Sequence, residues 1–254
     1  MSSFLQALLI VGGATAAAVL VQRFVRRKVA LEVLQAHHEV AGVLMGLVGG
    51  MYGILIAFVI VALWSDFEEA REIVASEAIA LADLSRLAST LPAPTGPRTQ
   101  QRVLEYLEVL TGEEWDRMAE GSTSARANEL VTAIWSGIVG FEPRTERERN
   151  LHLTSLQALD RFSDMRRLRI LMSRRALPTL LWVVLISGGV IVLGFANFFG
   201  LRYPRSQSLM TGATAATVAL ALYTVVALGR PYQGAIRVPR GEVEEVLTLL
   251  ESGR

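Results

Sequence analysis

Four long apolar segments that carry no charged side chain constrain this chain more than any other feature. Residues 4–22, 40–64, 179–199 and 209–228 run 19, 25, 21 and 20 residues, and a helix needs ~20 to cross the hydrocarbon core. No water is present there to satisfy backbone N–H and C=O groups, so such segments span as helices. The expectation is an all-α membrane protein with four transmembrane helices and a cytosolic helical region between the second and third spans. The corresponding divisions are a first transmembrane pair (1–66), the helical region (67–176), a second pair (177–229) and a C-terminal cytosolic tail (230–254).

The chain is 52% apolar with a mean hydropathy of +0.39, which fits a protein that places much of its length in lipid. Its 25 Lys and Arg balance 24 Asp and Glu, so no basic excess points to nucleic acid. Without cysteine there is no disulfide, thiolate metal site or thiol nucleophile. Met1-Ser2-Ser3 lacks the basic start of a signal peptide, and charge follows the first apolar segment at Arg23, Arg26, Arg27 and Lys28. That segment therefore reads as a retained span.

Between the pairs, helical periodicity continues. Phe67, Ala70, Val74, Ala78, Leu81, Leu84 and Leu91 recur at helical spacing straight out of the second span, predicting one helix of about 50 residues broken by Pro92, Pro94, Gly96 and Pro97. Further helices are expected around 98–118 and 125–138. Another should open at Thr145, where Thr-x-x-Glu ending at Glu148 has the form of a capping box, and run to Arg175. Gly200, Pro204, Arg202 and Arg205 suggest a tight turn between the last two spans.

Orientation follows from basic residues near the span ends. Arg71, Arg161, Arg166, Arg167, Arg169, Arg174, Arg175, Arg230, Arg237 and Arg240 stand on the side shared by both termini, against Arg23, Arg26, Arg27, Lys28, Arg202 and Arg205 opposite. Ten against six predicts cytoplasmic N and C termini in a cell inner (plasma) membrane. The cluster directly after the first span argues the other way.

Chemistry-bearing motifs are few. No phosphate-binding glycine loop, nucleophile elbow or His-Glu-x-x-His occurs, so the sequence points away from an enzyme and calls for no cofactor or metal. Glu68, Glu69, Glu72, Glu113 and Glu114 alternate with arginine as on a solvated helix face. No Asp, Glu, Lys or Arg lies inside a span, which disfavours an ion-coupled transporter. A passive pore or a membrane anchor remains open.

The second span holds the candidate site. Gly42, Gly46, Gly49, Gly50, Gly53 and Ala57 form a small-residue stripe that permits close helix approach. It serves either packing within the chain or packing around an oligomeric axis. In the second case Tyr52, Ile56, Val59 and Leu63 are expected to line a central pathway. His37, His38 and Glu39 would stand at one mouth and Asp66, Glu68 and Glu69 at the other. The acidic mouth favours cations.

Several stretches together resemble the bestrophin-like proteins. They are His37-His38-Glu39-Val40-Ala41-Gly42, then Tyr52-Gly53-Ile54-Leu55-Ile56-Ala57-Phe58-Val59 running to Trp64, Phe67-Glu68-Glu69-Ala70 and Glu77-Ala78. Tyr106, Glu114-Trp115, Arg166-Arg167-Leu168-Arg169, Pro178 with Trp182, and Arg230-Pro231-Tyr232-Gln233-Gly234 belong to the same pattern. The resemblance implies an ion channel with four spans per subunit, assembled as a ring whose second span lines the pore, a pentamer being favoured over a tetramer. Its partners would be the lipid bilayer, further copies of itself and small inorganic ions. The sequence departs from bestrophins in lacking a clear acidic calcium clasp and regular aromatic rings in the neck. The alternative is a non-conducting scaffold or sensor that binds a partner through its cytosolic helices.

Overall fold

The computed structural model describes residues 3–29, 32, 38–197, 203–233 and 236–252. Among them there are helices and connecting turns and no strand. The chain forms two compact units, one from residues 1–65 and 176–229, the other from 66–175 and 230–254.

In the first unit, α1 (Ser3–Lys28), the first half of α2 (His38–Ala88), α7 (Thr179–Asn197) and α8 (Pro204–Leu228) are the four helices long and apolar enough to cross a membrane. α1 packs along α8, where Gly212 receives Thr15 and Val19 of α1. Tyr52, Ile56 and Leu63 of α2 are buried with Leu185 and Val192 of α7 and Val218, Val225 and Leu228 of α8. The last span, α8, begins at Pro204, five residues before its apolar run, because proline at the first helical position gives up an N–H that would be unbonded anyway. The rest of the expected turn, Gly200 and Arg202, lies outside the described residues.

In the second unit, α2 stops at Ala88, not Leu91. Ser89 and Thr90 donate their hydroxyls to the Arg86 and Leu87 carbonyls, and the Leu87 carbonyl also accepts from the Thr90 N–H, so side chains and a tightened turn close the helix end. α3 (Thr95–Val109) starts at once. A Cβ on Gly96 would sit 2.4 Å from the carbonyl oxygens of Ala88 and Leu91, so only glycine lets the chain double back this closely. A π-turn, Leu110–Glu114, joins α3 to α4 (Trp115–Ala119). α5 (Ala125–Val139) is capped by Ser124, whose hydroxyl oxygen accepts from the Ala127 N–H. α6 (Glu146–Ser173) opens with the expected capping box: Thr145 Oγ1 accepts from the Glu148 N–H, and the Glu148 carboxylate accepts from the Thr145 N–H. α9 (Gly241–Ser252) packs on α3. The core holds Leu81, Leu84, Val103, Leu107, Ile134 and Phe162.

Candidate functional site

The second span shows two contrasting faces. Tyr52, Ile56 and Leu63, expected to line a pathway, are turned toward α7 and α8 of the same chain, with Val59 half-buried beside them. Tyr52 lies across a glycine pair: a Cβ on Gly188 would come within 2.6 Å of its ring, and one on Gly189 within 3.2 Å of its hydroxyl oxygen. The hydroxyl donates to the Leu185 carbonyl at 3.1 Å. An intrachain interface therefore occupies the face read as pore-lining. The packing follows from an aromatic ring finding its complement in two residues without side chains.

The glycine stripe is the reverse case. At Gly46, Gly49, Gly50 and Gly53 an added Cβ would meet nothing within 4 Å among the described residues, so no other described helix approaches the chain closely there. Beside them Val43, Ile54 and Val61 are exposed by 74%, 61% and 65%. Gly42 is half-buried and Ala57 exposed.

Of the expected mouth residues, His37 lies outside the described residues. His38 and Glu39 open α2, and their side chains are likewise outside that set. At the other end Arg175 Nη1 stands 3.0 Å from Asp66 Oδ1 and 3.8 Å from Glu69 Oε2. Glu68 is half-buried. Three carboxylates against one guanidinium leave this cluster net acidic.

The second unit contains the most concentrated chemistry of the chain, an ionic network whose centre, Glu77, Tyr106, Glu114 and Arg169, is closed to solvent. Arg169 on α6 is fully buried. Its Nε donates to Glu77 Oε2 at 2.5 Å and its Nη2 to Glu77 Oε1 at 3.2 Å, a bidentate pairing between α6 and α2. Nη2 also donates to the Tyr106 hydroxyl at 3.1 Å, and that hydroxyl donates to Glu77 Oε1 at 2.7 Å. Glu114, equally buried, stands 3.5 Å from Arg169 Nη2 and accepts from Arg166 Nη2 at 3.4 Å and from the Ser124 N–H at 2.6 Å. Arg166 Nη2 also donates to Asn128 Oδ1 at 2.7 Å.

Two carboxylates thus face two guanidiniums, so the network is neutral and held by fixed donors. An unpaired charge in the same place would cost several kcal/mol. Burial, reinforced by the Glu77 charge, pushes the Tyr106 hydroxyl far above the usual tyrosine range. Burial alone would lower the Arg169 guanidinium, but Glu77, Tyr106 and Glu114 together raise it and keep it charged.

The π-turn builds this site. A wider turn inserts an extra residue into the helix and resets the face of everything after it, which places Glu114 inside while Glu113 remains outside, bonded to Arg117. Arg240, ahead of α9, donates to the Thr111 carbonyl within that turn. Tyr232 closes another side. Its ring meets Trp115 edge-on at 5.7 Å and its hydroxyl donates to the Ala70 carbonyl at 3.4 Å.

Reading Glu114 as solvated was incorrect, and the roles of Glu77, Arg166 and Arg169 were missed as well. A signal was nevertheless present. Glu77 falls on the stripe 70, 74, 77, 81, 84, and Arg166 and Arg169 continue Leu159 and Phe162 at core spacing. Tyr106, Glu77, Glu114, Trp115, Arg166, Arg169 and Tyr232 all belong to the stretches that carry the family resemblance. Among the described residues no three His, Asp or Glu side chains converge as metal ligands.

These features define a helical membrane protein with four spans and a second unit locked by a buried ionic network. The chain belongs to the Bestrophin-like family, whose domain model matches residues 8–242. Its fold is that of bacterial bestrophin homologues. A single-residue mutant of one from Klebsiella pneumoniae aligns with a TM-score of 0.71 at 15% identity, covering 95% of this chain and 98% of that one. Another mutant of the Klebsiella pneumoniae protein aligns over 100% of both chains at 16% identity, with a TM-score of 0.65. The Klebsiella pneumoniae structure obtained by zinc phasing has a TM-score of 0.66 at 16% identity, covering 94% and 96%. No curated protein matches the chain in sequence.

Proposed function

We propose that the protein is a homo-oligomeric ion channel of a bacterial-type plasma membrane, a pentameric ring in which α2 of each copy borders an axial pathway. One observation carries this reading beyond family membership. Among the described residues the charge-free second span is packed within the chain along the Tyr52 face, with open space before Gly46, Gly49, Gly50 and Gly53 and an exposed apolar edge beside them. Glycines with open space before them suit the close approach of a neighbouring copy. Val43, Ile54 and Val61, on the edge beside that stripe, then face the axis in place of Tyr52, Ile56, Val59 and Leu63. A ring of such side chains conducts when it is wide enough to stay wet.

The acidic cluster of Asp66, Glu68 and Glu69 exceeds the single Arg175 that opposes it, which supports a preference for cations. Both termini and the second unit are cytosolic in this proposal, in keeping with the ten-to-six basic count.

Flux of potassium, sodium and chloride from proteoliposomes tests the proposal. Wild-type protein should pass potassium and sodium ahead of chloride. Ile54→Ala and Val61→Ala should raise the flux, whereas Ile56→Ala should change stability with little effect on conduction. No flux of any of the three ions, in wild type and variants alike, would leave a non-conducting scaffold as the better reading.

A further inference from the structure

Where α1 ends and α8 begins, the first unit holds a cavity of about 650 Å³. Arg23, Arg26 and Arg27 of α1 and Arg205 of α8 line it together with Gln22 and Ser208, and no carboxylate is among its walls. Among the described residues Arg23, Arg27 and Arg205 form no ion pair. Arg26 Nη1 donates to Gln207 Oε1 at 2.8 Å, which fixes its guanidinium across the two helices.

Gln22 supplies a second and independent observation. Its side chain is buried, its Oε1 accepts from Ser208 Oγ at 3.0 Å, and its Nε2 is a buried donor that finds no acceptor among the described residues. An orphaned donor in a polar wall is matched to an acceptor held in the cavity. The N-terminus of α8 opens at the same place with no side-chain cap on its first N–H groups, so the helix dipole adds to the positive field.

Four guanidiniums, an unmatched amide donor and an uncapped helix start, with no carboxylate among the described lining residues, form a receptor for an anion with several oxygen acceptors. We propose that this cavity binds a phosphate group, either as the headgroup of an anionic lipid or as free phosphate. Guanidinium pairs phosphate oxygens in bidentate fashion, and a basic recess between spans is suited to an anionic headgroup. The proposal does not depend on conduction, since binding is read without flux.

Native mass spectrometry of the delipidated protein in detergent tests it, with phosphatidylglycerol, phosphatidylcholine and inorganic phosphate added separately. The wild type should retain phosphatidylglycerol in preference to phosphatidylcholine. The Arg23→Gln, Arg27→Gln, Arg205→Gln triple variant should retain it at least tenfold less. Gln22→Leu should weaken retention as well. Inorganic phosphate that displaces the lipid would identify the phosphate group itself as what is read, and lipid that resists displacement would identify the lipid as the ligand. Equal retention of the two lipids by the wild type, or of phosphatidylglycerol by wild type and triple variant, would overturn the proposal. Should the triple variant not purify folded, Arg205→Gln alone carries the comparison, and its equality with wild type would count against the site in the same way.

Discussion

Arg169 Nε donates to Glu77 Oε2 at 2.5 Å across 92 residues of sequence, with both side chains closed to solvent. The pair ties α6 to α2 in the second unit, and Tyr106 bridges its partners from α3. A buried ion pair is weak grounds for net stability, since an apolar replacement of both partners is often neutral. Removing one partner is a different matter.

Arg169→Met should therefore destabilise the protein by about 3–5 kcal/mol by stranding the Glu77 charge, read as a fall in the thermal unfolding midpoint in detergent. Arg169→Lys should recover only part of this, because an ammonium does not reproduce the two-pronged contact. Adding Glu77→Gln to Arg169→Met should restore stability relative to the single variant. A double variant no better than Arg169→Met would show that the stranded charge is not the cause.

The network also sets a response to alkali. Tyr106 is neutral when protonated, and its folded pKa is raised above the ordinary value of 10.0. Its contribution is complete below pH ~10 and is lost as pH rises from there toward the folded value, because the unfolded chain releases the proton first. Stability should decline above pH ~10, and Tyr106→Phe should flatten that decline. Parallel pH profiles for the two proteins would contradict it.

Tyr52 and Gly188 should be coupled. Gly188→Ala places a methyl 2.6 Å from the Tyr52 ring and is expected to cost ~1–3 kcal/mol by overpacking. Tyr52→Phe removes only the hydrogen bond to Leu185, about 0.5–1.5 kcal/mol. In the Tyr52→Ala background the Gly188→Ala penalty should shrink, which a double-mutant cycle on unfolding midpoints would measure.

Gly46→Leu and Gly53→Leu separate assembly from folding. Among the described residues no other helix stands within 4 Å of a Cβ at either site, so helix content and the second unit should be unaffected. The oligomer should dissociate more readily in mild detergent, with a smaller species on size exclusion. Unchanged elution of both variants would remove the stripe from the subunit interface.

Topology reporters check the orientation. One inserted near Gly96 and one fused to the C-terminus are separated by two spans, so both should report the same compartment, and the basic count makes it the cytoplasm. A periplasmic signal from both, in stably inserted protein, would invert the protein.

The sequence by itself determined what local rules decide. Four spans were legible because a charge-free run of sufficient length has one outcome in lipid, and the Thr145–Glu148 box because its hydrogen bonds close within four residues. The halt of α2 near Pro92 was legible for the same reason, to within three residues. Tertiary structure decided which face of the second span meets protein. A helix apolar on every side has no stripe to read, so the burial of Tyr52 depended on glycines 188 and 189, more than 130 residues away. It also decided the fate of charge. Glu114 and Glu113 are neighbours with identical side chains, and a π-turn sends one into the core and the other to water. Burial of Glu77 requires Arg169 to arrive from 92 residues away, because only a partner at bonding distance offsets the loss of hydration.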